Sequence, residues 1–458
     1  MQLIYKVEDK PKFLQLLIFA LQQLLSIMTA TLVVPVIIGN NMSPAAALVG
    51  AGVGTLVYVA FTKKKSPVFL GSSFAFIGSM FAAFAGGVSM SLGYLGLIIG
   101  AVFAGMVYVI IAVLVKFAGV GWINKLMPAA VVGPTVAIIG LSLAGNAVGD
   151  VLKFATYDSA NAVYDMSLKG WLGLLCALVT LFTVIICSTY GKKWGRLIPF
   201  IFGILGGYAV AGVLTIIGYA AGIDALKLVD VAPFTALLTN GAVTIETFVS
   251  VPNFTFLTAF KGFGEITPDY LGTIAVAYIP VAFVVFAEHL ADHKNISSII
   301  EKDLLEEPGL HRTLLGDGIG SMFGAFFGGC PNTTYGESVG CVAITRNASV
   351  YTIIAAAIMS IVIAFVSPFI AFVSSIPSSV MGGVCMALYG FIAVSGLKMV
   401  QTVNLNVNKN LFVVSAILIS GIGGMALRIG QITLTAVACP LILGIVVNLI
   451  VSKAKDEE

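Results

Sequence analysis

Four acidic residues lie within or at the edge of long apolar stretches, where an ionisable side chain is costly and therefore indicates function. They are Glu288, Asp292, Asp317 and Glu337, out of 21 acidic residues in the chain. Glu288 and Asp292 are four residues apart, so on a helix they share one face. Two ionised carboxylates at that spacing repel each other, and burial further disfavours charge. We therefore predict that this pair takes up and releases a proton near neutral pH. The alternative for Asp292 is that it has already reached the cytoplasmic interface and caps the helix.

Glu337 belongs to a stretch, Cys330–Arg346, that is poorly suited to forming one regular membrane helix. Pro331, Gly336 and Gly340 loosen a helix there, and Glu337 has no basic neighbour close in sequence. In a bilayer, irregular backbone survives only where protein buries it or where it lines a polar cavity. A charged side chain at membrane depth costs roughly 2.5–3.5 kcal/mol on insertion scales. The stretch is therefore a candidate substrate site. The alternative is that Glu337 lies in a short loop at a helix end.

Two other polar residues are predicted to have structural roles. Asp317 follows Arg312 closely, so we expect a salt bridge at the start of a span rather than a ligand. His289 points away from the face that Glu288 and Asp292 share, and we expect it to pack or to make a polar contact.

The composition identifies an integral membrane protein. The 458 residues are 59% hydrophobic and only 10% charged, with a mean hydropathy of +1.05, whereas soluble domains carry about 25% charged residues. The apolar runs are long and continuous rather than alternating, which excludes a membrane barrel and predicts an all-α polytopic fold. The six cysteines lie in or beside apolar segments without metal-ligand spacing, so neither disulfides nor zinc are expected. The sequence has no glycine loop followed by Lys and Ser or Thr, so ATP-driven transport has no support.

Windows of about 20 apolar residues predict about fourteen transmembrane segments, two of them short or interrupted. The predicted segments are Phe13–Ile38, Pro44–Phe61, Val68–Ala85, Leu92–Lys116, Leu126–Ala147, Trp171–Ser188, Leu197–Ala220, Tyr270–Leu290, Leu310–Phe327, Asn332–Ile344, Val350–Ser374, Ser378–Leu397, Leu411–Ala426 and Ile432–Val451.

The distribution of basic residues supports this count. With the N-terminus in the cytoplasm, 19 of the 24 Lys and Arg residues fall in inside loops or at the termini, and the other five fall outside. This asymmetry agrees with the positive-inside rule. Omitting either interrupted segment would place every later loop on the opposite side of the membrane and remove the asymmetry. We predict a multi-pass protein of the inner or plasma membrane with both termini cytoplasmic.

The two halves of the chain repeat weakly. Met127–Gly133 is echoed by Ile376–Gly382, and Ser72–Ala75 is echoed by Thr333–Gly336. Each pair relates two segments that are seven apart in the predicted order. Because an odd number of segments per half gives the two halves opposite orientations in the membrane, we predict a seven-plus-seven inverted repeat. The alternative is chance similarity among small apolar residues. Corresponding interrupted segments, here the third and tenth, indicate a transporter's site. The predicted boundaries are residues 1–220 for the first repeat, 221–269 for an external linker and 270–458 for the second repeat.

Two interrupted segments that face each other would present backbone N–H groups near Phe74 and near Gly336 and Glu337, with partial positive charge where the half-helices begin. Such a site suits a small planar ligand that bears carbonyl groups. Glu337 and Glu288 would accept hydrogen bonds from ring N–H groups, and Phe74 could lie against the ring face. Ring carbonyls together with ring N–H groups describe a nucleobase.

These residues also carry a family resemblance. Glu337-Ser338-Val339-Gly340, with Thr345-Arg346 at the end, resembles the signature of the nucleobase–ascorbate transporters (nucleobase–cation symporter 2). Pro331–Gly336, Ala287–His289 and Glu301–Arg312 are similar to that family as well. The resemblance covers nearly the whole chain and is strongest to the bacterial uracil permeases.

The resemblance implies a proton-coupled importer that works by alternating access. Its core domain would comprise segments 1–4 and 8–11 and its gate domain segments 5–7 and 12–14, with short strands in segments 3 and 10. An acid at position 337 favours a pyrimidine, most of all uracil, over a purine. The residues implied to bind substrate are Glu288, Glu337, Phe74, Gly336 and Tyr389, with Ser338, Ser73 and Gln23 supporting them.

Three positions depart from the family pattern. Ser338 replaces a common Asn and loses an amide that could orient Glu337. In the family a His often follows the Gln of the first segment. Gln23 stands at that position here, and its side chain cannot titrate. Asp292 stands one turn after Glu288, where some members carry a His implicated in proton coupling. We interpret Asp292 as a replacement proton group, with Glu288 as the alternative carrier.

Other functions remain open at this point. A xanthine or urate permease is the nearest alternative, and an anion transporter of similar fold would need a basic residue at the membrane midplane, where the prediction places none. An enzyme is disfavoured because no nucleophile–base pair or metal set is visible. No cofactor is expected beyond a proton gradient, and the resemblance leaves open a homodimer formed through the gate domain.

Overall fold

Helices make up most of the computed structural model, which describes residues 3–119, 121–159, 161, 163–192, 194–238, 241–429, 432–434 and 436–452. A membrane chain must satisfy its backbone hydrogen bonds internally, and long apolar runs do so as helices. The first half contains α1 (Phe13–Ile38), α2 (Pro44–Phe61), α3 (Ile77–Ala83), α4 (Met90–Ala118), α5 (Gly121–Leu126), α6 (Ala129–Ser142), α7 (Ala144–Val151), α8 (Leu168–Tyr190), α9 (Trp194–Leu197) and α10 (Pro199–Ala221).

The second half continues the same pattern. It contains α11 (Ala232–Thr235), α12 (Thr255–Ala259), α13 (Pro268–Ile300), α14 (Leu310–Gly328), α15 (Gly336–Thr345), α16 (Val350–Ile363), α17 (Ser367–Ser375), α18 (Ser378–Val400), α19 (Asn408–Ile422) and α20 (Ala438–Val451). Short 3₁₀ turns cover Ala85–Gly87, Asp224–Leu226, Ile245–Thr247 and Phe260–Glu265. The predicted linker 221–269 therefore contains short helices.

Six three-residue strands form three antiparallel pairs in the part of the chain that is described. They are β1 (Leu70–Ser72), β2 (Thr156–Asp158), β3 (Val163–Asp165), β4 (Asn332–Thr334), β5 (Leu427–Ile429) and β6 (Ile432–Leu434). β1 pairs with β4, β2 with β3, and β5 with β6. The β1–β4 pair joins the third and tenth predicted segments, so the predicted strands in those two interrupted segments are confirmed.

The chain divides into two compact units. The first comprises residues 1–142, 252–362 and 392–458, and the second comprises residues 143–251 and 363–391. The acids singled out above and both paired strands β1 and β4 fall in the first unit. The repeat, linker, core and gate boundaries predicted from the sequence remain predictions.

Two predicted segments match helices residue for residue, and the others differ at one end or both. α1 and α2 have the predicted bounds, whereas α13 continues ten residues past the predicted end at Leu290. Asp292 and His293, the polar residues just past the predicted end, are buried and hydrogen-bonded rather than solvated, so the helix does not end there. Among the described residues, eight helices are long and apolar enough to cross a membrane, so the number fourteen stays a prediction. Lys193, Lys453 and Lys455, used in the charge count, lie outside the described residues.

Close packing of α2 against α14 fixes the position of β4 in the first unit. A Cβ on Gly50 would lie 2.5 Å from the carbonyl oxygen of Gly324, so this contact requires a glycine. The Asn332 amide at the start of β4 sits between the two helices and donates to the Gly50 carbonyl at 3.0 Å. A Cβ on Gly324 would meet the Asn332 side chain at 2.4 Å. The Asn332 amide thus anchors β4 between the two helices, and Gly50 and Gly324 leave the space that it needs.

Candidate functional site

The centre of the candidate site is the short β1–β4 ladder, where two half-helices begin. Leu70 lies opposite Thr334, and Ser72 lies opposite Asn332. The ladder is extended at both ends, because the Ser73 N–H donates to the Pro331 carbonyl at 2.9 Å and the Tyr335 N–H donates to the Phe69 carbonyl at 3.3 Å. The break in each helix therefore leaves its backbone groups paired with the other strand, as membrane depth demands.

The side chain of Tyr335 packs against β1. Its hydroxyl donates to the Ser72 carbonyl at 2.8 Å. Its ring occupies the space where a Cβ on Gly71 would stand, with ring carbons at 2.4 Å from that position. Gly71 is therefore needed for close approach of an aromatic ring to the strand.

Helix α15 begins at Gly336, directly after β4 and Tyr335, so Glu337 lies in the first turn of a helix rather than in a loop. The first N–H groups of an α-helix have no partner within the helix and carry partial positive charge. Gly336 is exposed and Glu337 is half-buried. The position of a Cβ on Gly336 has one neighbouring atom within 4 Å, the Asp292 Oδ1 at 3.7 Å. The start of α15 is therefore accessible and lies beside a carboxyl group.

Asp292 is buried against β4. It is 8% exposed, and its Oδ2 accepts a hydrogen bond from the Thr334 hydroxyl at 2.9 Å. Helix α13 continues from Asp292 to Ile300, so the residue is neither at the helix end nor at an exposed boundary. Glu288, one turn earlier, is half-buried and is close enough to Asp292 and Glu337 to interact with both electrostatically. The structure therefore gathers three carboxyl groups around the start of α15.

Ser338 and Gln23, both predicted to support the site, are joined directly. The Ser338 hydroxyl oxygen accepts from Gln23 Nε2 at 2.5 Å and from the Phe69 N–H at 3.0 Å. One hydroxyl thus ties α15 to α1 and to the residue before β1. Ser73 is also buried, and its Oγ has no hydrogen-bond partner among the described residues.

The two predicted aromatic contacts fall in different units. Phe74 follows β1 in the first unit, is 9% exposed, and its carbonyl accepts from the Ile77 N–H at 3.1 Å as α3 begins. Tyr389 is a buried residue of α18 in the second unit. Its role in substrate binding stays a prediction.

The expectation for Asp317 was wrong. Asp317 is 1% exposed in the interior of α14, and its Oδ2 lies 2.7 Å from Nδ1 of His289, while Arg312 donates to the Phe61 carbonyl instead. A closer partner on another helix outweighs the sequence neighbour because a buried carboxyl needs a hydrogen bond at its own depth. The polar contact expected of His289 is present, with Asp317 and with the Thr313 hydroxyl at 3.0 Å.

Sequence reasoning missed His293, which belongs to the same buried group. Its Nε2 lies 2.6 Å from the Tyr58 hydroxyl, and its ring stacks on His289 with centroids 3.9 Å apart. The available signal was the spacing of His289 and His293, which repeats the four-residue spacing of Glu288 and Asp292 one residue later.

Comparisons with known proteins identify the family of the chain. A family model described as a permease family matches residues 14–430. The chain is 36% identical over 457 residues to the uracil permease of Bacillus subtilis (strain 168), with 99% of this chain and 96% of that protein covered. It is 37% identical over 451 residues to the uracil permease of Bacillus caldolyticus, with 98% and 94% covered.

Among solved structures, the fold is similar to the transmembrane domain of a cyanobacterium bicarbonate transporter, BicA. The TM-score is 0.60 at 15% sequence identity, over 97% of this chain and 100% of that one. This likeness confirms the all-α polytopic membrane fold. The family match over most of the chain, with relatives that align to nearly all of it, shows that the chain belongs to this permease family and is a multi-pass membrane transporter, not an enzyme.

Proposed function

We propose that this protein is a proton-coupled symporter that imports a nucleobase, with uracil as the substrate. The relatives named uracil permeases support the substrate class, since they align with almost the whole chain. The observation that carries the proposal within the molecule is the cluster of Glu288, Asp292 and Glu337 around the exposed start of α15.

This cluster suits the hydrogen-bonding pattern of uracil, a planar ring with two N–H donors and two carbonyl acceptors. Glu288 and Glu337 accept from the ring N–H groups, and a hydrogen bond to a charged acceptor is roughly twice as strong as a neutral one. The N–H groups in the first turn of α15 donate to a ring carbonyl. Phe74 offers a ring face to the proposed substrate.

Proton coupling is assigned to Asp292, with Glu288 as the alternative carrier. Three carboxyl groups that interact at this depth cannot all stay ionised without a high electrostatic cost. Protonation of Asp292 removes one of the three charges, so Glu288 and Glu337 can stay ionised and accept from the ring N–H groups. Proton uptake and substrate binding therefore favour each other. Asp292 suits this role because Thr334 donates to it from β4, the strand that leads into α15.

The transport cycle is proposed to be alternating access between a core domain of segments 1–4 and 8–11 and a gate domain of segments 5–7 and 12–14. Pairing of strands from the third and tenth segments supports an inverted repeat of seven plus seven segments. Both termini lie in the cytoplasm on this proposal, and the proton gradient is the driving force, without a further cofactor. A homodimer through the gate domain is compatible with it.

The test is uptake of radiolabelled uracil into proteoliposomes with an imposed pH gradient, acidic outside. We expect accumulation that collapses with a protonophore, is competed by unlabelled uracil and survives an excess of xanthine. Accumulation of radiolabelled xanthine under the same gradient, without accumulation of uracil, would establish the purine alternative. Uracil uptake that ignores the pH gradient would refute proton coupling while leaving the substrate intact.

A further inference from the structure

Helix α13 carries a second polar stripe beside its acids. His289 and His293 each follow one of the acids, Glu288 and Asp292, and both histidines are 0% exposed. They are two of the three histidines in the chain. Their hydrogen-bond partners lie on α14 and α2, away from β4 and α15, which the acids face.

The partners of His289 determine which of its nitrogens carries a hydrogen. The Thr313 hydroxyl donates its single hydrogen to the Leu310 carbonyl at 3.0 Å. It must therefore accept from His289 Nε2, also at 3.0 Å, so Nε2 is protonated. The remaining nitrogen, Nδ1, faces Asp317 Oδ2 at 2.7 Å.

One proton lies between His289 Nδ1 and Asp317 Oδ2, and it belongs to the acid. If it belonged to the imidazole, two opposite charges would be buried, and burial of an ion pair costs more than it returns unless every polar atom is satisfied. The other oxygen of Asp317, Oδ1, is buried and has no hydrogen-bond partner among the described residues. A neutral carboxylic acid that donates to a neutral imidazole avoids leaving a charged oxygen unsolvated.

His293 does not provide a route by which this proton could leave the His289–Asp317 pair. His293 Nδ1 donates to the His289 carbonyl at 2.8 Å, so its Nε2 accepts from the Tyr58 hydroxyl, whose oxygen lies 2.7 Å from Ser66 Oγ. The chain of hydrogen bonds therefore ends on a backbone carbonyl rather than on the ring of His289. Tyr108 also lies against the pair, and its ring meets His289 edge-on at 6.2 Å. Glu288, Asp292 and Tyr58 are close enough to interact with Asp317 electrostatically.

We propose that Asp317 is a permanently protonated positioning residue. Its carboxylic acid donates to His289 and thereby fixes the rotation of α13 that presents Glu288 and Asp292 to β4 and α15. Successive helical residues are about 100° apart around the axis, so holding His289 against α14 sets the direction of Glu288. Tyr58 on α2 holds the same face through His293. The expected effect on substrate rests on the proposed function, whereas the protonation state of Asp317 does not.

The first test compares Asp317→Asn with Asp317→Ala. An Asn side chain has the same shape as the acid and can donate Nδ2–H to His289 Nδ1. We expect it to keep uracil affinity within about twofold and to keep gradient-driven uptake with an unchanged pH profile. The Ala variant leaves His289 Nδ1 without a donor, and we expect roughly 10-fold weaker uracil binding, as for one lost buried hydrogen bond. The matched control is Asp269→Asn, an exposed acid in the first turn of the same helix.

The second test is an infrared difference spectrum between the wild-type protein and Asp317→Asn. We expect a protonated carboxylic acid band that belongs to Asp317 and does not change with pH or with added uracil. This readout stands even if the substrate is not uracil.

Three outcomes would overturn the proposal. One is loss of gradient-driven uptake in Asp317→Asn while uracil counterflow persists, which would make Asp317 a carrier of the coupled proton. Another is an ionised Asp317 in the infrared spectrum. The third is failure of Asp317→Asn to fold while Asp269→Asn folds, because an equivalent donor should then have sufficed.

Discussion

Ser338→Ala tests how the start of α15 is held in place. The Ser338 hydroxyl is 0% exposed and accepts two hydrogen bonds, one from Gln23 on α1 and one from the Phe69 N–H before β1. Alanine fits the space but accepts neither bond. The substitution therefore leaves two donors unpaired, one on a 2% exposed side chain and one on the backbone of a fully buried residue.

The size of the effect follows from those two donors. An unsatisfied buried donor costs about 1–3 kcal/mol. The Gln23 amide can rotate and recover part of its loss, whereas the Phe69 N–H is fixed by the backbone, since the carbonyl of the same residue accepts from Tyr335. We expect the free energy of unfolding to fall by about 2–4 kcal/mol, in the lower half of the range of about 2–6 kcal/mol for two donors, because the Gln23 amide recovers part of its loss. Uracil binding should weaken as well, because the same hydroxyl positions the turn that contains Glu337.

The assay is denaturant unfolding in mixed micelles, with uracil binding measured by scintillation proximity on the same preparations. Ser379→Ala is the matched control. Ser379 is also a 0% exposed serine, but its Oγ has no hydrogen-bond partner among the described residues. Removal of that hydroxyl should change stability by less than about 0.5 kcal/mol or increase it.

Equal behaviour of the two serine variants would refute the reasoning. If Ser338→Ala loses no more stability than Ser379→Ala, the two hydrogen bonds do not hold α15. If stability falls but uracil affinity is unchanged, Ser338 supports the fold without positioning the site.

Three further predictions concern charged residues. Glu337→Gln should weaken uracil binding by about 10-fold or more, because an acceptor that is charged becomes neutral; wild-type affinity by calorimetry would contradict the assignment. Asp292→Asn should keep uracil counterflow and lose uptake driven by a pH gradient, and normal pH-dependent uptake would leave Glu288 as the proton carrier. Outside the membrane, a hydrogen bond from Lys302 at 2.7 Å lowers the pKa of Glu8, so the pair stabilises the fold above the unfolded pKa of about 4.3 and loses that contribution as pH falls through the folded pKa. Glu8→Gln should therefore cost less than about 1 kcal/mol at pH 7, and its difference from wild type in unfolding titrations should vanish in acid.

Much of the architecture could be predicted because the thickness of the membrane sets the length of each spanning helix. An apolar run bounded by polar residues has few other options, which is why α1 and α2 begin and end where the sequence predicts. The interrupted segments were equally visible, since Pro331 and Gly336 disturb a helix that the surrounding composition otherwise demands. The pairing of β1 with β4 then satisfies the backbone groups that the interruptions set free.

The contacts between helices could not be predicted in the same way. Asp317 and His289 are 28 residues apart and belong to different helices, and composition gives no information on which buried polar groups meet. Arg312 seemed the natural partner of Asp317 because it is near in sequence, but it donates to a carbonyl at the end of α2. The predicted end of α13 at Leu290 was wrong for the same reason. Its polar last turns suggest solvent until their partners on other elements are known.

The two stripes of α13 have partners of different kinds, and this difference bears on the proposed mechanism. The histidine stripe is bonded to side chains of long helices, so its hydrogen bonds persist as long as α2, α13 and α14 stay packed. In the acid stripe, Asp292 is bonded to Thr334, on a three-residue strand that leads into the first turn of α15, where the proposed function places the substrate. A small shift of the Thr334 side chain, at the end of β4 next to α15, would break the hydrogen bond to Asp292 without disturbing His289, and the loss of that donor would disfavour the ionised carboxylate. On the proposed mechanism, movement at the substrate turn thus changes the proton affinity of Asp292 while α13 itself stays fixed.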